Sequence, residues 1–109
     1  MSKRWIPALL LAGIWLAPAA HADEADLEEG RVIARTCMGC HGIPFQTNAF
    51  PVFHVPRIKG QTEGYIRAAL HAYRDGTRRH GTMQAQAHTL SDEDIRNVAA
   101  WFAAQGRDR

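Results

Sequence analysis

Two cysteines and a histidine lie close together in the run Cys37-Met38-Gly39-Cys40-His41. Two intervening residues let one helical turn present both thiols to the two vinyl edges of a single porphyrin, and the next imidazole can then ligate the iron. The spacing is typical of covalent haem attachment, with Cys37 and Cys40 as anchors and His41 as proximal ligand. A redox dithiol or half of a zinc site uses the same spacing, but the chain has no further cysteine and no βαβ pattern surrounds the pair.

The first 22 residues have the pattern of a secretory signal peptide. A basic start at residues 2–4 precedes an apolar stretch at 5–19, and residues 20–22 form a small-x-small cleavage site. The apolar stretch is short for a membrane-spanning helix and contains two prolines, which disfavours an uncleaved anchor. We therefore expect export, in a bacterium to the periplasm, of a single mature domain at residues 23–109 without stable membrane insertion.

The charge of the chain gives no support for nucleic-acid binding. It has 13 Lys and Arg against 11 Asp and Glu, and because the leader holds two of the basic residues and no acid, the mature part is balanced. Basic residues are nevertheless concentrated between Arg57 and Arg79, a stretch in which the only acids are Glu63 and Asp75. This segment is a candidate docking surface for an acidic redox partner, although a solvated helix face that neutralises haem propionates explains it equally well.

The first helical segment is expected to start at Asp26, with Glu29 completing a capping box, and to run to about Cys37. Gly30 lowers helix propensity by about 1 kcal/mol relative to alanine, which favours a close crossing of another helix there; the alternative is a frayed turn. The expected buried positions are Leu27, Gly30 or Arg31, Ile33 and Ala34.

Two further helices are expected in the second half of the chain. One starts after Thr62 and stops at Gly76, and the other starts after Ser91 and stops at Gly106, with residues 77–89 connecting them. No segment has a convincing strand pattern. The expected apolar faces are Tyr65, Ile66, Ala69, Leu70 and Tyr73 in the first of these helices, and Ile95, Val98, Trp101 and Phe102 in the second.

A long segment without a regular period, residues 42–60, contains Pro44, Pro51 and Pro56. A structureless loop of this length is uncommon in so small a domain unless it wraps something. Its apolar residues are candidates for packing on a porphyrin or its edge, and they make a disordered linker a poor alternative. These residues are Ile43, Phe45, Phe50, Val52, Phe53 and Val55.

The iron face opposite His41 needs a ligand or stands open to small molecules. Met83 is the candidate, because Met38 lies on the proximal side and Met83 lies where a chain that has wrapped around the ring edge would arrive. Filling a gap in the core is the alternative role for this methionine. Four histidines compete as ligands, although their positions are more typical of the surface. They are His54, His71, His80 and His88.

Seven motifs occur in order along residues 26–105. They are Cys37 to Gly42, Pro56 to Gln61, Tyr65 with Ile66, Tyr73 to Arg78, Met83, Leu90 to Ile95, and Ala100 to Phe102. In this order they resemble the small monohaem class I bacterial cytochromes c. The resemblance implies an all-α cytochrome c fold of three to five short helices and long loops, wrapped around one covalent haem c. It also implies that the first and last helices cross near Gly30 and Trp101.

The resemblance further implies axial ligation by His41 and Met83, and a proline carbonyl that accepts the proximal imidazole N–H. Pro56 matches that position better than Pro44, although the spacing leaves both open, and Tyr65 is a further candidate for the haem pocket. The long aromatic loop departs from relatives, which often carry glycine-rich sequence there.

The expected function is electron transfer by a periplasmic one-electron carrier, and not catalysis. Two fixed ligands keep reorganisation small, and a thioether sulfur favours ferrous iron. The alternatives are a haem c subunit of a larger dehydrogenase or oxidase complex, and a catalytic or gas-binding haem protein with a labile distal ligand. A dehydrogenase, an oxidase or another cytochrome would be the redox partner. The sequence leaves open which of these it is, the redox potential and the oligomeric state.

Overall fold

The computed structural model describes residues 24–49 and 52–106. It contains four helices in the order α1 (Leu27–His41), α2 (Glu63–Asp75), α3 (Gly81–His88) and α4 (Asp92–Ala104). One isolated bridge is the only β pairing in this part of the chain, so the predicted all-α class is confirmed. No helix within these ranges is both long enough and apolar enough to cross a membrane. The predicted signal peptide, residues 1–22, lies outside the described residues.

The core forms where α4 packs against both α1 and α2, while α3 packs against α2. Its central residues are Ala34, Ile66, Val98, Ala99 and Phe102. Because α4 contributes the largest share of these buried apolar side chains, it is the element on which α1 and α2 both pack. The prediction that Leu27 is buried is wrong: this side chain lies in the first turn of α1 and is half exposed.

α1 crosses α4 at Gly30, as the sequence predicted. A methyl group at this position would lie 2.2 Å from the backbone oxygen of Asn97 and 3.0 Å from Cβ of Trp101. Asn97 is itself only 1% exposed, and its Oδ1 accepts a hydrogen bond from the Asp26 N–H at 3.0 Å. Glycine therefore lets the two backbones approach, and a buried amide joins the start of α1 to α4.

The first helix is longer than predicted. It starts at Asp26 as expected, since the Asp26 carboxylate accepts hydrogen bonds from two N–H groups of the first turn. The predicted capping box with Glu29 is wrong, because the Asp26 N–H donates to Oδ1 of Asn97 instead. It then continues beyond Cys37 to His41, and Gly42 ends it by donating its N–H to the Met38 carbonyl at 3.0 Å. The helix continues past the predicted end because no proline lies between Cys37 and Gly42 to break it.

The ends of α2 and α4 follow the sequence signals. Gly76 terminates α2 in the left-handed conformation, with φ of 85°, which costs glycine little. Thr62 occupies the N-cap position of α2, but its side chain makes no capping hydrogen bond. At the start of α4, Ser91 and Asp94 form a complete capping box.

The segment 77–89, predicted as a connection, contains a helix of its own. Residues 81–88 form α3, whose sequence Gly-Thr-Met-Gln-Ala-Gln-Ala-His shows no apolar stripe. Hydrophobic periodicity therefore gave no signal, although methionine, glutamine and alanine are good helix formers. Only Ala87 of this helix is buried.

The long loop contains backbone pairing of its own, although its sequence shows no regular period. The Asn48 N–H donates to the Phe53 carbonyl at 2.9 Å, and the Val55 N–H donates to the Gln46 carbonyl at 2.8 Å. These bonds join residues 46–48 to residues 53–55, and we call these two stretches the paired segment. No sustained strand period marks these residues in the sequence, and such short pairing depends on contacts between separate stretches.

Arg74 links the end of α2 to the connection between α3 and α4. Its guanidinium donates one hydrogen bond to the Leu90 carbonyl at 3.1 Å and a second to the Asp92 carboxylate. The hydrogen bond from Arg74 lowers the pKa of Asp92, which is an exposed carboxylate. A lowered folded-state pKa contributes stability above the ordinary pKa of aspartate and loses it as the pH falls through the lowered value.

We therefore expect Arg74→Ala to lower the free energy of unfolding by about 1 kcal/mol at neutral pH, mainly through the unsatisfied Leu90 carbonyl. Chemical denaturation measures this loss, which should shrink below about pH 4 as Asp92 is protonated. Arg67→Ala is the matched control on the same helix. Within the part of the chain that the structure describes, Arg67 makes an exposed ion pair with Glu63 at 3.6 Å and no other polar contact, so its loss should cost less than about 0.5 kcal/mol. Equal losses in both variants would contradict the assigned role of Arg74.

Candidate functional site

The two cysteines lie in the last turns of α1, and neither takes part in a disulfide. Residues three apart on a helix lie on the same face, so Cys37 and Cys40 are presented to the same side. Their environments differ, because Cys37 is half-buried beside the core and Cys40 is exposed. Burial raises the pKa of the Cys37 thiol, so this group remains protonated at neutral pH. Proximity of both thiols on one helix face is what attachment of one porphyrin at two vinyl groups requires.

His41 is the last residue of α1, and its imidazole is fixed by the loop. Nδ1 of His41 lies 2.6 Å from the Pro56 carbonyl oxygen. A carbonyl only accepts hydrogen bonds, so Nδ1 carries the proton and donates it, which leaves the Nε2 lone pair available. This is the arrangement found where an imidazole ligates a metal. Of the two prolines considered from sequence, Pro56 is the one at His41.

Met83 lies in the first turn of α3, not in an irregular loop as predicted from sequence. Its side chain is half-buried. Among the described residues α1 and α3 do not contact each other, so the structure does not bring His41 and Met83 into direct contact. The two residues lie on separate helices, of which α1 packs on α4 and α3 packs on α2.

The four competing histidines are placed in different surroundings. His54 and His88 are exposed. Nδ1 of His71 lies 3.0 Å from a guanidinium nitrogen of Arg74. His80 precedes α3 as its N-cap residue, and its Nδ1 accepts a hydrogen bond from the Met83 N–H at 3.4 Å. Sequence reasoning gave no sign of this capping role.

The loop between α1 and α2 exposes large apolar side chains. They are Ile43, Phe45, Val52 and Phe53. Phe45 is 95% exposed and has a φ of 59°, a left-handed conformation that a bulky residue seldom adopts. Several exposed apolar side chains next to a functional motif are characteristic of a ligand-binding surface. Packing of this loop against a porphyrin stays a prediction, and Phe50, which was also predicted to pack there, lies outside the described residues.

Tyr65 lies on α2 and is 52% exposed. Its hydroxyl accepts a hydrogen bond from Arg78 at 3.2 Å, and the Arg78 guanidinium also lies 4.9 Å from the centre of the Tyr73 ring. The hydrogen bond to Tyr65 raises the pKa of Arg78, which stays charged at any physiological pH. Arg78 thus joins two tyrosines of α2 into one cationic and aromatic cluster, which the sequence signals did not predict.

The four-helix fold and the Cys-x-x-Cys-His motif at the end of α1 define a small all-α haem protein. A family model described as cytochrome C oxidase, cbb3-type, subunit III matches residues 24–102, which is most of the chain. The chain therefore belongs to this family of cytochromes c. Its cofactor is one covalent haem c, and its class transfers electrons.

Individual cytochromes agree with this family assignment. The chain is 41% identical over 73 residues to cytochrome c-554(548) of Halomonas halodenitrificans, a match that covers 64% of this chain and 84% of that protein. It is 34% identical over 105 residues to cytochrome c4 of Pseudomonas aeruginosa, covering 96% of this chain but 49% of that protein. The chain thus spans about half the length of cytochrome c4. The cytochrome subunit of sulfide dehydrogenase of Chlorobaculum tepidum is 30% identical over 101 residues, covering 88% of each chain.

Proposed function

We propose that this protein is a periplasmic one-electron carrier whose haem c is attached to Cys37 and Cys40 and ligated by His41 and Met83. The observation that carries this proposal is the 2.6 Å contact between Nδ1 of His41 and the Pro56 carbonyl. This hydrogen bond fixes the tautomer and the orientation of the imidazole and increases the basicity of Nε2. When bound, haem c supplies the redox centre, which stores one electron as ferrous iron and releases it as ferric iron.

The remaining residues have defined tasks in this proposal. Cys37 and Cys40 hold the cofactor through thioether bonds, so it is retained in both redox states. The Met83 thioether stabilises the ferrous state and leaves no open position for small molecules. The exposed apolar side chains of the long loop exclude water from the ring edge, and Tyr65 is assigned to the haem pocket. An iron with two permanent ligands and a porphyrin edge shielded from water are features of an electron carrier and not of an enzyme.

Basic residues on α2 and its flanking loops form the proposed docking surface for an acidic redox partner. Arg57, Arg67, Arg78 and Arg79 are exposed, whereas Arg74 is half-buried and engaged with α4. The first turn of α1 carries the exposed acids Glu28 and Glu29, of which Glu28 is paired with Arg31. Such a charge distribution orients an encounter complex and makes its rate depend on ionic strength.

A permanently bound subunit is the second candidate function. The sulfide dehydrogenase relative is named as a cytochrome subunit, and the family description names an oxidase subunit. The residues of the site would do the same work in that setting. Purification from native cells distinguishes the two candidates, since a free carrier elutes as a small protein and a subunit elutes with its partners at fixed stoichiometry.

The proposed attachment predicts one haem that survives acid denaturation. Protein exported from cells that mature cytochromes c should have the mass of residues 23–109 plus one haem, because thioether bonds resist acid and the leader is removed after Ala22. Mass spectrometry after acid extraction measures this.

The double substitution Cys37→Ser with Cys40→Ser should abolish the covalent adduct, and each single substitution should leave one thioether. Gly39→Ala is the control between the two cysteines, since an added methyl meets no atom within 4 Å, and it should retain the adduct. Extraction of haem from the unmodified protein by acid would refute the attachment.

A further inference from the structure

His80 occupies the N-cap position of α3, where serine, threonine, aspartate and asparagine are the usual residues. Its Nδ1 accepts the Met83 N–H at 3.4 Å, while its own backbone N–H donates to Oε1 of Gln84 at 3.2 Å. These two bonds form a reciprocal cap in which side chain and backbone satisfy each other, as in a capping box. The backbone N–H that this cap satisfies belongs to Met83, the proposed distal ligand.

The other ring nitrogen of His80 reaches the long loop. Nε2 lies 3.1 Å from the side-chain amide nitrogen of Asn48, in the paired segment, and the Phe53 ring centre lies 6.1 Å from the imidazole centre. The imidazole therefore stands between the loop and α3, and it lines a pocket of about 370 Å³ at their junction. Asn48 was not singled out from sequence, and no local signal there could have identified it.

The two contacts of His80 are chemically linked. A neutral imidazole has one N–H and one acceptor nitrogen, so a ring that accepts the Met83 N–H at Nδ1 carries its proton at Nε2. The Nε2–H group then needs an acceptor. The side-chain oxygen of Asn48 supplies one when the carboxamide is turned by about 180°, which exchanges the positions of its oxygen and nitrogen. Asn48 thereby selects the tautomer that caps Met83.

α3 has few other constraints. It packs only against α2 among the described helices, and Ala87 near its end is its one buried residue. Its first turn, which bears Met83, is joined to the rest of the fold through His80. We propose that His80 and Asn48 are positioning residues for Met83, which hold its thioether in place as the distal ligand. This inference rests on the proposed ligation by Met83.

Imidazole binding to the ferric haem-loaded protein tests the inference, because an added ligand must displace the methionine sulfur. We expect His80→Ala to raise the imidazole affinity about fivefold, the factor that corresponds to the loss of one typical helix cap. Asn48→Ala removes the hydrogen-bond partner of His80 Nε2 and keeps the imidazole that caps α3. This variant should raise the imidazole affinity about threefold. His80→Asn, which restores a good N-cap residue, should recover part of the effect of His80→Ala.

His88→Ala is the matched control, an exposed histidine at the other end of the same helix, and it should leave the affinity unchanged. Denaturation midpoints of all variants are measured alongside, since a purely structural role would lower the midpoint without changing the imidazole affinity of the folded protein. Should His80→Ala not fold, Asn48→Ala decides the matter.

The sulfur-to-iron band of the unmodified ferric protein distinguishes a failure of ligation by Met83 from a failure of the positioning role alone. A protein that lacks this band refutes ligation by Met83, and the inference with it. A protein that has the band, but whose His80→Ala and Asn48→Ala variants bind imidazole with unchanged affinity, refutes the positioning role alone.

Discussion

Met83→Ala is expected to abolish the near-infrared sulfur-to-iron band of the ferric protein and to let the ferrous protein bind carbon monoxide. Removing the thioether opens the distal position, or lets water or a nearby histidine take it. The redox potential should fall by an amount on the order of 100 mV, since axial ligands tune haem potentials over roughly 0.8 V and a thioether lies at the high end. Optical spectra in both redox states and a potentiometric titration measure these changes.

Two further variants show whether ligand identity or mere vacancy is responsible. Met83→His should keep both faces of the iron ligated and still lower the potential. Met38→Leu is the control, because it changes another methionine by a volume-conserving substitution and should leave the band in place. If Met83→Ala retained the spectrum and potential of the unmodified protein, Met83 would not be the ligand. The histidines at positions 54, 71, 80 and 88 would then be replaced one at a time.

Gly30→Ala is expected to destabilise the protein strongly, by at least about 2 kcal/mol, although alanine favours a helix over glycine by about 1 kcal/mol. The added methyl would lie 2.2 Å from a backbone oxygen of α4, and no rotamer change relieves a clash with backbone. α1 and α4 must therefore move apart, which opens the main core contact and breaks the hydrogen bond between Asp26 and Asn97. Denaturant unfolding of the haem-loaded protein measures the loss.

Gly64→Ala, in α2, is the matched control for this substitution. An added methyl there meets no atom within 4 Å, so the variant should be as stable as the unmodified protein or slightly more stable. A Gly30→Ala variant that unfolds at the same denaturant concentration as Gly64→Ala would contradict the close crossing.

The parts of the fold that the sequence predicted correctly are those with local signals. Gly76 and Ser91 mark helix ends through backbone chemistry that acts within a few residues. Gly30 was interpretable because a glycine inside an amphipathic helix costs stability and so needs a packing reason. The fold class and the crossing of the first and last helices followed from these signals together with the family resemblance.

The parts that were missed depend on contacts between distant residues. α3 has a polar surface nearly all round and a histidine as its cap, so neither periodicity nor the usual capping residues indicated it. The paired segment forms through backbone hydrogen bonds between residues 46–48 and 53–55, which side-chain patterns did not encode.

The functional site likewise has a part that local sequence signals predicted and a part that depends on contacts between distant residues. The spacing of Cys37, Cys40 and His41 was evident in the sequence, whereas the partner of His41 was open between Pro44 and Pro56 until the loop conformation was known. Likewise Asn48 and His80 are 32 residues apart and meet only in the folded chain.

The crossing of α1 and α4 also determines when the domain can fold. Its contacts join positions near the two ends of the described chain, as in the hydrogen bond between Asp26 and Asn97, which are 71 residues apart. Contacts of such long sequence separation carry a loop-closure cost, so a fold that depends on them forms more slowly than one built from local contacts. A growing chain cannot complete its core before Phe102 has been made. Until then the cysteine-bearing end of α1 lacks its packing partner, so both thiols remain accessible to any enzyme that modifies them.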